Sequence, residues 1–309
     1  MLSPFILDCD TGRDDALAIL YALKKELPMQ AVFASYGNTT LNNVVDNCLR
    51  VIPLGGGKTP VFIGEEHPLS SHPLYEDVVL PRQEQAGNGL CNVLLPDSGR
   101  AGTPLTAVER AAWIDEKARR VGPVDYYITG PATNFAAMLP HLASGSIRRV
   151  VMMAGRLGNQ WAKMPTPDFN IACDPPAFQM LLESSFEIVL VPVNTTYLIH
   201  LSLPEINELE GLDDVARFSK ELMIAHCRSF SPEPVFYFHD PSVLFALKYP
   251  ASLLSTKVSF DANLKSPSFG RIMEVGESEA GRCVYVFEPD DPERAAILAD
   301  ILVTIGLSS

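Results

Sequence analysis

Short apolar runs alternate with longer amphipathic stretches along most of the chain, and each run stops at polar or turn-forming residues. The run at 5–7 ends in Asp8 and Asp10. A Thr-Gly-Arg turn follows, and Asp14 and Asp15 then open a segment rich in Ala and Leu. This predicts a buried strand handing over to a helix whose first turn carries acids, where the helix dipole favours them. The alternation continues with strands over 30–35, 60–63, 124–129, 149–154 and 187–193. Helices are expected over 41–54, 106–120, 133–142 and after Asp174-Pro175. Residues 64–103, rich in Pro, Gly and His, read as a long surface excursion, and 155–170 as a loop. From 204 the pattern is mostly helical through about Arg228 and again over 241–247. A β excursion is expected over 257–288 and a closing helix over 292–305. The expectation is an α/β fold with a mainly parallel central sheet flanked by helices, in one domain spanning 1–309.

The chemistry gathers where strands end. Asp8, Asp10, Asp14 and Asp15 place four carboxylates within eight residues. Like charges that close repel unless something neutralises them. Hard oxygen donors suit Ca²⁺ or Mg²⁺, and Ca²⁺ accepts the larger, less regular shell. The plainer alternative is that Asp14 and Asp15 favour the helix start while Asp8 and Asp10 cap a turn; a metal site is the better reading. Asn38, Thr129 and Asn194 also follow predicted strands, and parallel strands bring such ends to one edge. Asn194 is read as turn chemistry. A second group runs from Gly158-Asn159 to Asp168-Phe169-Asn170; its carboxylate and amides could bond sugar hydroxyls or cap the next helix. The third is Phe238-His239-Asp240-Pro241, after an apolar aromatic run, with His226 shortly before it near the end of a long helix.

A formal net charge of −13 without a basic cluster argues against a nucleic-acid or anionic-membrane partner. Six scattered cysteines with no C-x-x-C pair look like a reduced set, not a disulfide framework or zinc site. No apolar run reaches the roughly 18 residues of a membrane span, and a strand by Phe5 leaves no room for a signal peptide. A soluble, cytoplasmic protein is expected.

In order along the chain, these residues resemble the nucleoside hydrolase family, the inosine-uridine-preferring N-ribohydrolases. The family's opening D-x-D-P-G-x-D-D-A is matched by residues 8–16 except at Thr11. Further matches are Gly37-Asn38, Thr129-Gly130-Pro131 with Thr133-Asn134, Phe169-Asn170, Asp174-Pro175 and His239-Asp240-Pro241. The resemblance implies hydrolysis of the N-glycosidic bond of a nucleoside to ribose and free base. It implies a Ca²⁺ held by Asp10, Asp15, the Thr129 carbonyl and Asp240, with Asp10 also activating the attacking water. Asp14, Asn170 and Asp240 would hold the ribose 2′- and 3′-hydroxyls, Asn38 would support the site, and Asn159 and Asp168 would lie near the 5′-hydroxyl. His239 would protonate the departing base, and the enzyme would be a homodimer or homotetramer.

The chain departs from the family pattern at Thr11, where proline is usual, and at Asp168, where glutamate is usual. The loop between Asn159 and Asp168 is longer, with Trp161 inside it, and Ala86 stands where a histidine usually precedes Gly87. Two other readings compete: a binding relative without turnover, and a Mg²⁺-dependent phosphatase with Asp8 as nucleophile. The second leaves Asp14-Asp15 and His239-Asp240 unexplained.

Overall fold

The computed structural model describes residues 3–158, 166–229 and 234–308. The chain begins β1 (Phe5–Cys9), α1 (Arg13–Lys24), β2 (Met29–Ala34), α2 (Leu41–Leu54) and β3 (Val61–Ile63). A π-helical turn at Tyr75–Val79 runs into α3 (Leu80–Ala86), followed by β4 (Thr103–Pro104), α4 (Ala107–Val121), β5 (Val124–Ile128) and α5 (Thr133–Met138). Next come β6 (Ile147–Met153), α6 (Phe169–Cys173), α7 (Pro175–Glu183), β7 (Glu187–Val191), α8 (Val193–Thr196), β8 (His200–Ser202) and α9 (Leu203–Glu208). The chain continues with α10 (Asp214–Ser229), β9 (Val235–Tyr237), α11 (His239–Val243), β10 (Leu253–Phe260), β11 (Ile272–Glu274), β12 (Arg282–Phe287) and α12 (Asp291–Thr304).

Ten strands make one sheet in the order β11-β10-β12-β7-β6-β5-β1-β2-β3-β4. From β12 to β4 every neighbouring pair is parallel; β10 adds antiparallel to β12, and β11 antiparallel to β10. The strands step outward from β1 through β4 in one direction and from β5 through β7 in the other. The reversal lies between β1 and β5, where a doubly wound sheet opens a crevice at its carboxyl edge.

Side-chain alternation builds the two layers. On β1, Phe5, Leu7 and Cys9 join one core with residues of α1, α2, α10 and α12, while Ile6 joins the other with residues of α4, α5 and α7. On β7, Val189 and Val191 face the first core and Ile188 and Leu190 the second. Near-continuous apolar runs are what a sheet covered on both faces requires.

Two regions differ from expectation. The excursion after β3 contains the helical stretch that ends in α3. Pro81 sits in that helix's first turn, where its missing N–H costs little. Val79, Gln83 and Ala86 are its buried residues, at helical spacing, but three positions are too few to register as periodicity. Gln83 docks it by donating to the Gly37 carbonyl at 3.0 Å. The second difference is a small antiparallel pair, β8 with β9, which sets His200 opposite Tyr237. The described residues contain no helix long and apolar enough to cross a membrane, and the six cysteines are unpaired.

Candidate active site

At the carboxyl ends of β1 and β5, Asp10 is fully buried one residue past its strand. The Asn38 backbone N–H donates to its Oδ2 at 2.6 Å, and the Asn38 amide to its Oδ1 at 3.1 Å. Asp15, also fully buried, accepts from the Gly12 N–H at 2.9 Å and the Thr129 hydroxyl at 2.7 Å. Asp15 thus closes the first turn of α1, as the plainer helix-start reading has it. Glycine is required around this carboxylate: a Cβ at Gly37 would meet Asp10 Oδ2 at 2.0 Å, and one at Gly12 would meet Asn38 Nδ2 at 2.8 Å.

Asp240, in the first turn of α11, completes the floor. Carboxylate oxygens of Asp14, Asp15 and Asp240 all lie within 4.8 Å of one another. Burial, then Asp15, holds the Asp10 carboxyl well above the usual carboxylate range. Burial, then Asp14, raises Asp15 to about 6. Burial, then Asp14, Asp15 and Asp10, raises Asp240 well above its ordinary value. Carboxylates packed that closely are held together only by sharing a proton or a cation. The hydrogen bonds that reach Asp10 and Asp15 from other residues come from neutral donors, Asn38, Gly12 and Thr129. Hard oxygen donors whose hydrogen bonds come from neutral groups are a set that a divalent ion fits. The expected ligand Asp10 is not in the tight trio; Asn38, which also reaches Asp15 at 3.4 Å, ties it in.

Asp8 lies elsewhere. It is fully buried inside β1, and both its oxygens are taken, by the Tyr126 hydroxyl and the Asn134 amide at 2.8 Å each. Burial raises it to about 7 against those two bonds. A fully enclosed carboxyl with both oxygens hydrogen-bonded cannot attack a phosphoester, which removes the phosphatase reading.

Above the floor is a cavity of about 630 Å³ lined by Asp14, Asn38, Thr129, Asn170, His239 and Asp240, among others. The Asn170 amide donates to the Thr129 and Met153 carbonyls at 2.9 Å each, so it braces the ends of β5 and β6. Asp168 borders the cavity, but its carboxylate also caps α6, accepting from Ile171 N–H at 3.2 Å and Gly155 N–H at 2.8 Å. Asn194 accepts from Leu157 N–H at 3.0 Å, a bracing role in keeping with turn chemistry. Asn159 lies outside the described residues.

His239 stands at the far wall. Its Nδ1 is 2.6 Å from the Thr196 hydroxyl oxygen, and that hydroxyl donates to the Val193 carbonyl at 3.2 Å. With its one hydrogen so committed, Thr196 accepts from Nδ1–H, which leaves Nε2 as the nitrogen that gains or releases a proton. Burial, partly opposed by Asp14, lowers His239 to about 4. Tyr237 stacks on the ring at 5.6 Å, Tyr197 meets it edge-on at 5.2 Å, and His226 lines the same cavity.

The sequence reading passed over Arg13, Arg82, Arg156, Tyr197 and Tyr237, all of which line the cavity. Arg13 and Arg156 follow β1 and β6, so the strand-end argument that selected aspartates would have found them had it been applied to cations. Arg82 carried no such signal.

A family model described as inosine-uridine preferring nucleoside hydrolase matches residues 5–301. The pyrimidine-specific ribonucleoside hydrolase RihA of Shewanella woodyi is 34% identical over 221 residues, 69% of this chain and 67% of its own length. RihA of Escherichia coli O7:K1 is 35% identical over 204 residues, 64% of this chain and 62% of its own length. The purine-preferring ribonucleoside hydrolase from Gardnerella vaginalis superposes with a TM-score of 0.78 at 25% identity, covering 97% of each chain. An inosine-guanosine nucleoside hydrolase shares the fold, with a TM-score of 0.78 at 20% identity, covering 96% of this chain and 98% of its own. An α/β crevice floored by clustered aspartates is consistent with a hydrolase that has a metal site. The chain belongs to the inosine-uridine preferring nucleoside hydrolase family and is a nucleoside hydrolase, an enzyme that cleaves the N-glycosidic bond of ribonucleosides.

Proposed function

We propose that the floor holds Ca²⁺ through Asp10, Asp15, Asp240 and the Thr129 carbonyl, and that Asp10 takes the proton of the water that attacks the ribosyl carbon. What carries this reading is the buried aspartate cluster, whose carboxylates pack within reach of one another and take their hydrogen bonds from neutral donors. When bound, the cation orients the attacking water and lowers its pKa. Asp10 is suited to the proton because burial raises its affinity for one. Asp14, Asn170 and Asp240 hold the ribose 2′- and 3′-hydroxyls, Asn38 keeps Asp10 aimed, and Asp168 borders the 5′ side.

Bond cleavage builds positive charge on the ribosyl ring, which the same carboxylates stabilise. The heterocycle leaves poorly as an anion, and His239, once protonated at Nε2 against the burial that disfavours its charge, gives up that proton while Thr196 holds Nδ1. Tyr197 and Tyr237 offer the base an aromatic wall. The substrates in the relatives' names span both pyrimidines and purines, so the base is left to the rim of this chain.

Release of reducing sugar from a purine and pyrimidine nucleoside panel, with and without a chelator, tests the reading. Chelator-sensitive ribose release is expected. Silence across the panel with calcium bound would point instead to a binding protein.

A further inference from the structure

In a chain of net charge −13, the cationic side chains lining this cavity among the described residues are three arginines and no lysine. They come from separate places: Arg13 opens α1, Arg82 sits on α3, and Arg156 follows β6. Other arginines have evident structural work. Arg110 pairs with Glu65 and bonds the Leu105 carbonyl, and Arg282 bonds the Phe186 carbonyl. Those two each leave a buried Nε without a hydrogen-bond partner among the described residues, whereas Arg156 leaves two such atoms, Nε and Nη1. Buried, unpaired guanidinium N–H groups are costly unless a ligand supplies the acceptor.

Arg82 lays its guanidinium 3.9 Å over the Phe169 ring centroid. Stacking fixes the plane of the fork and leaves its edge N–H groups for an acceptor in that plane. Desolvation and then the nearby Arg13 disfavour its charge, while Asp10 and Asp14 favour it. Ala86 follows Arg82 by four positions on α3, the same helix face, where a small side chain leaves the fork unobstructed. All three arginines line the same cavity as His239 and His226. A neutral nucleoside offers guanidinium groups only hydroxyls and ring atoms, whereas a carboxylate or phosphate matches the fork with two charge-assisted bonds.

Resting on the nucleoside hydrolase reading above, we propose that this pocket is built for a ribonucleoside carrying an oxyanion. The oxyanion is a carboxylate on the base or a phosphate on the ribose 5′ oxygen. Arg82 and Arg156 grip it, and Arg13 adds to the local field.

The test compares kcat/KM for uridine and inosine, their 5′-monophosphates, and 5-carboxyuridine beside its neutral carboxamide. The calcium-loaded full chain is used as wild type, Arg82→Gln and Arg156→Gln. At least one anionic probe should exceed its neutral counterpart by about tenfold, and each substitution should cut that ratio by about tenfold. A preference for 5-carboxyuridine assigns the oxyanion to the base, and a preference for the monophosphates assigns it to the 5′ oxygen. Neutral probes cleaved as well as every anionic one, with ratios unmoved in both variants, would overturn the proposal while leaving the hydrolase reading standing. Calorimetric binding of the same probes to Asp10→Asn reads the preference without turnover. Tight binding of an anionic probe with no wild-type cleavage of any probe would sink the hydrolase reading and keep the pocket's specificity.

Discussion

Asp10, Asp15 and Thr129 are fixed by β1 and β5, strands buried along their whole length. Arg82, Tyr197 and Tyr237 ride instead on elements of three to seven residues or on the turns beside them. The first set stands on hydrogen bonds between adjacent strand ends, such as Thr129 N–H to the Asp8 carbonyl at 2.8 Å. The second depends on a few docking contacts, such as Gln83 to Gly37. Chemistry that must be placed within fractions of an ångström sits on the rigid part, and discrimination among substrates sits where small changes are tolerated.

Breaking the floor should give the largest effect. Asp10→Asn is expected to lower kcat by roughly 10³-fold or more while leaving the thermal unfolding profile cooperative. A variant with near-native ribose release would remove Asp10 as the base. Next comes the cation. Added Ca²⁺ should raise the Tm of chelated wild type by a few degrees, since a hundredfold excess over Kd contributes about 2.7 kcal/mol. Asp240→Asn should lose most of that shift, and an undiminished shift would place the ion elsewhere.

The wall between floor and rim comes third. His239→Ala should slow inosine and uridine by roughly 10²-fold, yet p-nitrophenyl riboside far less, because that leaving group needs no proton. Equal losses on both would deny His239 the role of acid.

The smallest effect lies in the scaffold behind both regions. Asp300 on α12 binds Lys25 at 2.7 Å, Lys248 at 3.0 Å and the Tyr21 hydroxyl at 2.9 Å. Burial opposes its charge, but these bonds outweigh burial and pull the carboxyl down to about 2. Because the folded value lies below the unfolded one, this stability is present above about pH 4 and lost as pH falls toward 2. Asp300→Asn should therefore cost roughly 0.5–1 kcal/mol at neutral pH, after allowance for its partial exposure. Urea unfolding at both pH values would show the difference closing in acid; a constant difference would refute the assignment.

The parallel sheet and most of its helices were legible because long elements repeat their apolar pattern often enough to be read. The floor was legible for a related reason: Asp10, Asp14, Asp15 and Asp240 flank such elements. Asp8 shows the limit. Locally it resembles Asp10, and only Tyr126 and Asn134, 118 and 126 residues away in sequence, decide that it faces the core. Arg82 was illegible because α3 shows few apolar positions and its docking is tertiary. The double duty of Asp168, as helix cap and pocket border, likewise depends on Gly155 across the turn.

Gly37 carries no charge, donates nothing to a substrate and lies on a loop, yet the space its missing side chain leaves is occupied by the Asp10 carboxylate. In a survey of every single substitution, that position should be as intolerant as Asp10 itself, and for activity before stability. Insertion of even a methyl group would push the carboxylate off its two Asn38 bonds. Lineages of this enzyme are then free to redraw the rim while position 37 is held constant by the volume of a neighbour's oxygen.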